Sequence, residues 1–224
     1  MTATVVVAGG TGGLGSAVTA EFLAAGWRVV VPGRSEKSLA ELGSAEALHT
    51  LVADLTDPAS GAEVAQVAAA DEAAPVRALV NLVGGFASGS RVHETPIEDF
   101  EAQLTLNLRP TYLVTQAILP LLIAAGGGSI TCTSSGSAVK PFAGAAGYIT
   151  AKAGVLAFVD ALAVEYAKEH IRVNAILPGT IDTPANRRAM PAADTAKWTP
   201  PAQIATVLRM LAETPGITGA HLPV

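Results

Sequence analysis

Short apolar runs alternate with alanine-rich or amphipathic segments along the whole chain. Residues 4–8 (Thr-Val-Val-Val-Ala) are apolar almost throughout, the pattern of a strand covered on both faces. Residues 29–31, 48–53, 78–83, 128–133 and 171–177 have the same character. Helix signals stand between them. Asp57-Pro58 sets a capping carboxylate before a proline at the first helical position, opening an alanine-rich helix that reaches about residue 74. Thr95-Pro96 repeats the device ahead of 97–108, and 16–25 read as helix after the first strand. This alternation with short links predicts a single α/β domain over 1–224, with helices on both faces of a doubly wound parallel sheet. Residues 178–201 lack clear periodicity. They exceed an ordinary loop, so they form a functional lid or hold short helices.

Composition narrows the class. Half of the 224 residues are hydrophobic and 15% are charged, which excludes a disordered chain. The net charge of −5 argues against electrostatic binding to nucleic acid or to an anionic membrane. Residues 112–125 are the most apolar stretch, but Thr115, Gln116 and Pro120 interrupt them. They fall short of the roughly 20 apolar residues a span needs. No basic segment precedes the first apolar run, so no signal peptide is expected and the protein is expected to be soluble and cytoplasmic. A single cysteine, Cys132, permits no internal disulfide and reads as a small hydrophobe. His49, His93, His170 and His221 are too scattered for a metal site, and none is expected.

The first strand runs into Gly9-Gly10-Thr11-Gly12-Gly13-Leu14-Gly15 and then a helix. A diphosphate approaches the N–H groups at a helix start only where side chains are absent, and the helix dipole favours its charge. The spacing Gly9-x-x-x-Gly13-x-Gly15 resembles the short-chain dehydrogenase/reductase family. Asp54 and Leu55 close the third strand, and Asn81-Leu82-Val83-Gly84 is similar to that family's Asn-Asn-Ala-Gly, with Leu82 and Val83 as departures. Leu177-Pro178-Gly179-Thr180-Ile181-Asp182-Thr183 resembles its Pro-Gly loop. The resemblance covers nearly the whole chain. It implies a Rossmann-type sheet of about seven strands and a dinucleotide held by Gly9, Thr11, Gly12, Gly13, Leu14, Gly15, Asp54, Leu55, Asn81, Gly84, Pro178, Gly179, Ile181 and Thr183. Within it, Asp54 meets the adenine and Thr183 meets the nicotinamide carboxamide. The second strand ends Pro32-Gly33-Arg34, with no carboxylate to accept from ribose hydroxyls. A guanidinium binds a 2′-phosphate through charge-assisted bonds, so Arg34 predicts NADP(H) over NAD(H), with NAD(H) still possible. The competing reading is a solvated arginine at a helix start.

Tyr148-Ile149-Thr150-Ala151-Lys152 puts a phenol and an ammonium four residues apart, on one helix face. An adjacent cation favours the phenolate, and a phenol so tuned can exchange a proton with a carbonyl/alcohol pair. In the family's mechanism a serine hydroxyl bonds the substrate oxygen and the lysine also holds the nicotinamide ribose. Those roles fall on Ser135, thirteen residues before Tyr148, and on Lys152. Ser134 is expected to point the other way, as strand neighbours do. Asn107 matches the asparagine that kinks a central helix and supports a water to the lysine; the alternative is a helix-surface asparagine.

The resemblance therefore implies an NADP(H)-dependent oxidoreductase acting on a small carbonyl or quinonoid compound. Residues 182–200 and Val83-Gly84-Gly85-Phe86-Ala87 resemble the lid region of quinonoid dihydropteridine reductases. That branch lacks the catalytic serine and carries an acidic residue where Gly33 stands. A pterin substrate is thus an alternative, and a non-catalytic NADP(H) sensor or scaffold is another. Phe86, Phe142, Met190 and Trp198 are candidate pocket residues, with core or lid packing as the plainer alternative. The helices near 107–125 and 150–168 are apolar round most of their circumference, which predicts a homodimer. The final Gly219-Ala220-His221-Leu222-Pro223-Val224 does not continue into the family's Val-Asp-Gly-Gly-like segment, leaving dimer or tetramer open.

Overall fold

A computed structural model describes residues 3–224. Strands β1 (Thr4–Ala8), β2 (Arg28–Gly33), β3 (Leu48–Val52), β4 (Val76–Asn81), β5 (Gly128–Thr133), β6 (Ile171–Leu177) and β7 (His221–Pro223) form one sheet in the order β3-β2-β1-β4-β5-β6-β7. Every pairing is parallel. The order reverses between β1 and β4, the switch point beside which open α/β sheets bind ligands.

The helices are α1 (Gly15–Ala24), α2 (Glu36–Ala40), α3 (Pro58–Ala68), α4 (Ile97–Asn107), α5 (Arg109–Ala124), α6 (Ala146–Glu165), α7 (Pro184–Ala189) and α8 (Pro201–Glu213). Two cores result from the period of two along the strands. Val6 and Ala8 of β1 join Val114 and Ile118 of α5 and Val155 and Val159 of α6 on one face. Val5 and Val7 join Phe22 of α1 and Ile204 and Leu208 of α8 on the other. Both faces are covered, which is why β1 carries no polar alternation.

Several boundaries differ from expectation. The helix opened by Asp57 ends at Ala68 and not near residue 74, because Asp71 accepts the N–H of Ala73 in a turn ahead of Pro75. Asp57 caps it as expected, accepting from the N–H of Ala59 at 2.9 Å. Pro96 occupies the cap position of α4 itself, and the Thr95 hydroxyl donates to the carbonyl of Arg91 instead of capping. Pro32 lies within β2, but pairing with β1 has ended at Val30, so its missing N–H interrupts no ladder there. The helices expected at 107–125 and 150–168 run over Arg109–Ala124 and Ala146–Glu165. Residues 178–201 hold α7 and a 3-10 turn at Thr195–Lys197.

Candidate active site

The C-terminal ends of β1, β4, β5 and β6 bring the chemistry-bearing residues together. Gly9 follows β1 in the left-handed region at φ +83. A Cβ on Gly15 would overlap the carbonyl of Gly9, so only glycine lets α1 start this close to the turn. Leu14 precedes that helix and no side chain caps it, although the Ser16 N–H already donates to the carbonyl of Gly12 at 2.9 Å. A cavity of about 320 Å³ opens here, lined by Gly9, Thr11, Gly12, Gly33, Arg34 and Asp54 among others, with Leu55 and Gly84. Asp54 accepts from the N–H and hydroxyl of Thr56 at 2.9 and 2.8 Å. Those bonds, with the nearby Arg34 charge, hold its carboxyl below the ordinary aspartate value. Donors, a bare backbone and a guanidinium suit a phosphorylated dinucleotide.

Beyond the glycine turn, β4 ends at Asn81, whose Oδ1 accepts from the N–H of Val83 at 3.1 Å and whose Nδ2 is buried without a partner. Asn107 is wholly buried rather than on a helix surface. Its Oδ1 accepts from the N–H of Gly85 at 3.0 Å and its Nδ2 donates to the carbonyl of Gln103 at 3.1 Å. The helix is interrupted there, α4 ending at Asn107 and α5 starting at Arg109. A Cβ on Gly84 would stand 2.6 Å from Asn107 Oδ1 and 2.8 Å from Lys152 Nζ, so the turn after β4 needs a bare backbone to pass between them.

Lys152 is 4% exposed and donates from Nζ to the carbonyl of Thr133 at 3.0 Å. Burial pulls its ammonium down to about 8. Tyr148 lies one turn earlier, with Lys152 Nζ 6.0 Å from its ring centre. The expected lowering of the phenol by this ammonium is not what the protein's own groups produce. Burial raises Tyr148 above the ordinary tyrosine value, and the nearby Ser135 hydroxyl pulls it back. Ser134 is buried and turned away as expected, its hydroxyl donating to the carbonyl of Lys152 at 2.8 Å. The N–H of Gly136 donates to the carbonyl of Pro178 at 3.1 Å, tying the serines to the Pro-Gly loop.

Residues 182–199 form a loop closed at its neck. Ile181 and Thr199 bridge, and the N–H groups of Thr199 and Asp182 donate to the carbonyls of Thr180 and Thr199, each at 2.9 Å. Thr183 caps α7, accepting the N–H of Asn186 at 3.2 Å, and lies against Gly13, where a Cβ would come within 2.9 Å of it. The loop thus reaches back over the glycine turn.

Residues 3–194 match the family model described as short chain dehydrogenase. The chain belongs to the short-chain dehydrogenase family. As a short-chain dehydrogenase it is an NAD(P)-dependent oxidoreductase. It is 33% identical over 189 residues to the "Uncharacterized oxidoreductase YxbG" of Bacillus subtilis, covering 81% of this chain and 67% of that protein. It is 32% identical over 192 residues to 2-(R)-hydroxypropyl-CoM dehydrogenase of Xanthobacter autotrophicus, covering 82% of this chain and 76% of that one. Among solved structures, ElxO with NADP bound superposes with a TM-score of 0.91 at 25% identity, over 100% of this chain and 97% of that one.

A second cavity, of about 720 Å³, adjoins Tyr148 in this short-chain dehydrogenase. It opens between 87–96, α4 and the start of α6; sequence patterns gave no sign of it, because its walls meet only in the fold. Phe86 packs edge-on to Tyr148 at 5.1 Å and lies 6.2 Å from Phe142, so those two candidates gather at the site. Met190 and Trp198 line neither cavity described here.

Proposed function

We propose that the protein is an NADP(H)-dependent reductase, moving a hydride between the nicotinamide and a small carbonyl or quinonoid compound, with Tyr148 as the proton donor or acceptor. The convergence of Tyr148, Ser135 and Lys152 beside a glycine-walled cavity carries this reading. When bound, the cofactor supplies or accepts the hydride. Gly9, Thr11, Gly12, Gly13, Leu14 and Gly15 hold its diphosphate through the uncapped start of α1. Arg34 takes the 2′-phosphate, and Asp54 with Leu55 frames the adenine. Asn81, Gly84, Pro178, Gly179, Ile181 and Thr183 border the nicotinamide, under a lid formed by 182–200.

Ser135 donates to the substrate oxygen while Tyr148 passes the proton, and Lys152 holds the ribose and stabilises the phenolate. Asn107 fixes the backbone of Gly85 and so the floor beneath Lys152. The rest of the substrate enters the larger cavity, past Phe86 and Phe142. Glu94 and Asp99 line that cavity and no lysine or arginine does, so a neutral compound enters more readily than an anionic one. The working assembly is a homodimer formed through α5 and α6.

A panel of quinones, diketones, ketoacyl thioesters and dihydropterins, followed by NADPH absorbance, tests the reading. NADPH is expected to outperform NADH, and neutral compounds to outperform anionic ones. Tyr148→Phe is expected to cut kcat by about 10²-fold or more while leaving the rise in Tm on adding NADPH intact. Undiminished turnover by Tyr148→Phe would overturn the assignment.

A further inference from the structure

Ser137 stands outside every motif above, yet both its N–H and its hydroxyl lie in hydrogen-bond contact with the Ser135 hydroxyl. Ser135 Oγ accepts from the N–H of Ser137 at 3.2 Å and lies 2.9 Å from Ser137 Oγ. A serine hydroxyl has one proton and two acceptor positions. The Ser137 N–H fills one of them. If the Ser137 hydroxyl donates as well, both are filled, and the Ser135 proton is left to point away, towards Tyr148. We propose that Ser137 is a positioning residue, which fills the acceptor positions of Ser135 and commits its one proton to the site, to the phenol oxygen before substrate enters and to the substrate oxygen once it is bound. The inference rests on the roles given to Ser135 and Tyr148 above.

The local fold is suited to this. Ser135 heads a 3-10 turn over Gly136–Ala138. The N–H of Gly136 is anchored to the carbonyl of Pro178, and that of Ala138 to the carbonyl of Ser135 at 3.0 Å. Ser137 is half-buried, so its hydroxyl is partly shielded from competing water. Ser134 is committed to the carbonyl of Lys152 and offers Ser135 no alternative partner. A donor-only Ser135 stabilises the phenolate and the negative charge that develops on a reduced carbonyl oxygen; an accepting Ser135 stabilises neither.

Ser137→Ala keeps the N–H and removes the second donor. It is expected to lower kcat by about five- to twenty-fold, less than the ~10²-fold loss of a direct oxyanion donor, with little change in the KM for NADPH. The kcat–pH limb belonging to Tyr148 should move to higher pH, because the phenolate loses part of its stabilisation. Ser137→Thr, which retains the hydroxyl, should restore both. In a Ser135→Ala background, Ser137→Ala should have almost no further effect on kcat, since it acts through Ser135. An unmoved pH limb, or an equal loss with and without Ser135, overturns the proposal. Full activity in Tyr148→Phe would instead bring down the reading beneath it, so the two failures are distinguishable.

Discussion

Lys152 carries the clearest conflict between function and stability at a single residue. Its ammonium is almost fully buried and the carbonyl of Thr133 is its hydrogen-bond partner. Burial sets its folded value at about 8 against 10.5 for the free side chain. Between those values the unfolded chain binds more protons than the folded one, so stability rises as the pH climbs from about 8 towards 10.5. Below pH 8 the full penalty applies, about 3 kcal/mol by the linkage relation. Lys152→Met is therefore expected to abolish turnover yet raise the Tm of the cofactor-free protein at pH 7, with the gain shrinking by pH 10. A lower Tm at pH 7 would show that the bond to Thr133 outweighs the burial. The Tyr148–Lys152 pair was legible in the sequence because a spacing of four puts both on one helix face, whereas Ser135 was reached only through the family resemblance. Ser137 was not legible, because its importance lies in the serine hydroxyl 2.9 Å from its own; Gly84 was named within its motif, but not the two polar side chains that leave no room there for a Cβ.

Three arginines near the starts of alternate sheet strands fasten the helix layers. Arg28 of β2 donates to the carbonyls of Val67 and Ala68 at 2.8 and 3.0 Å, at the end of α3. Arg77 of β4 donates to the carbonyl of Ala125 just past α5, and Arg172 of β6 to Leu211 and Ala212 in the last turn of α8 at 2.6 and 2.8 Å. Each guanidinium meets the carbonyls and partial negative charge of a helix C-terminus. Arg172→Met should cost about 1–3 kcal/mol, because two bonds from a charged donor are lost, although the Leu211 carbonyl keeps the Ser129 hydroxyl. Urea denaturation would read this as a lower midpoint at unchanged slope, and a midpoint within error of the parent would refute it. Strands β1, β2, β4, β5 and β6 were readable because burial on both faces makes an apolar run, and β3, half-exposed at the sheet edge, still carries Leu48, Leu51 and Val52. β7 was not, being three residues with a proline and no period. α2, five residues long, is too short for a helical repeat to register. Alanine favours helix wherever it occurs, so the end of α3 had to be found in the Asp71 turn and not in propensity.

At the scale of the whole molecule, α6 is long and apolar enough to cross a membrane by length and composition alone. Much of that character is used inside the fold: Ala151, Val155, Leu156, Val159 and Leu162 are buried. What is left over lies on the outer side of α5 and α6. Tyr112 is 49% exposed and packs 5.9 Å from Phe158, while Ile123 and Val164 are also open to solvent. Fully burying one such side chain is worth about 1.5–3 kcal/mol, so several on one face favour a covered state. In the proposed homodimer a second copy of the chain would meet this face with the same residues, since a two-fold contact is self-complementary. Sedimentation equilibrium should therefore give twice the chain mass at micromolar concentration. Tyr112→Glu combined with Val164→Glu should shift it towards monomer, because carboxylates would have to be desolvated at the contact. A monomer before substitution would leave the exposed apolar face without an explanation in self-association.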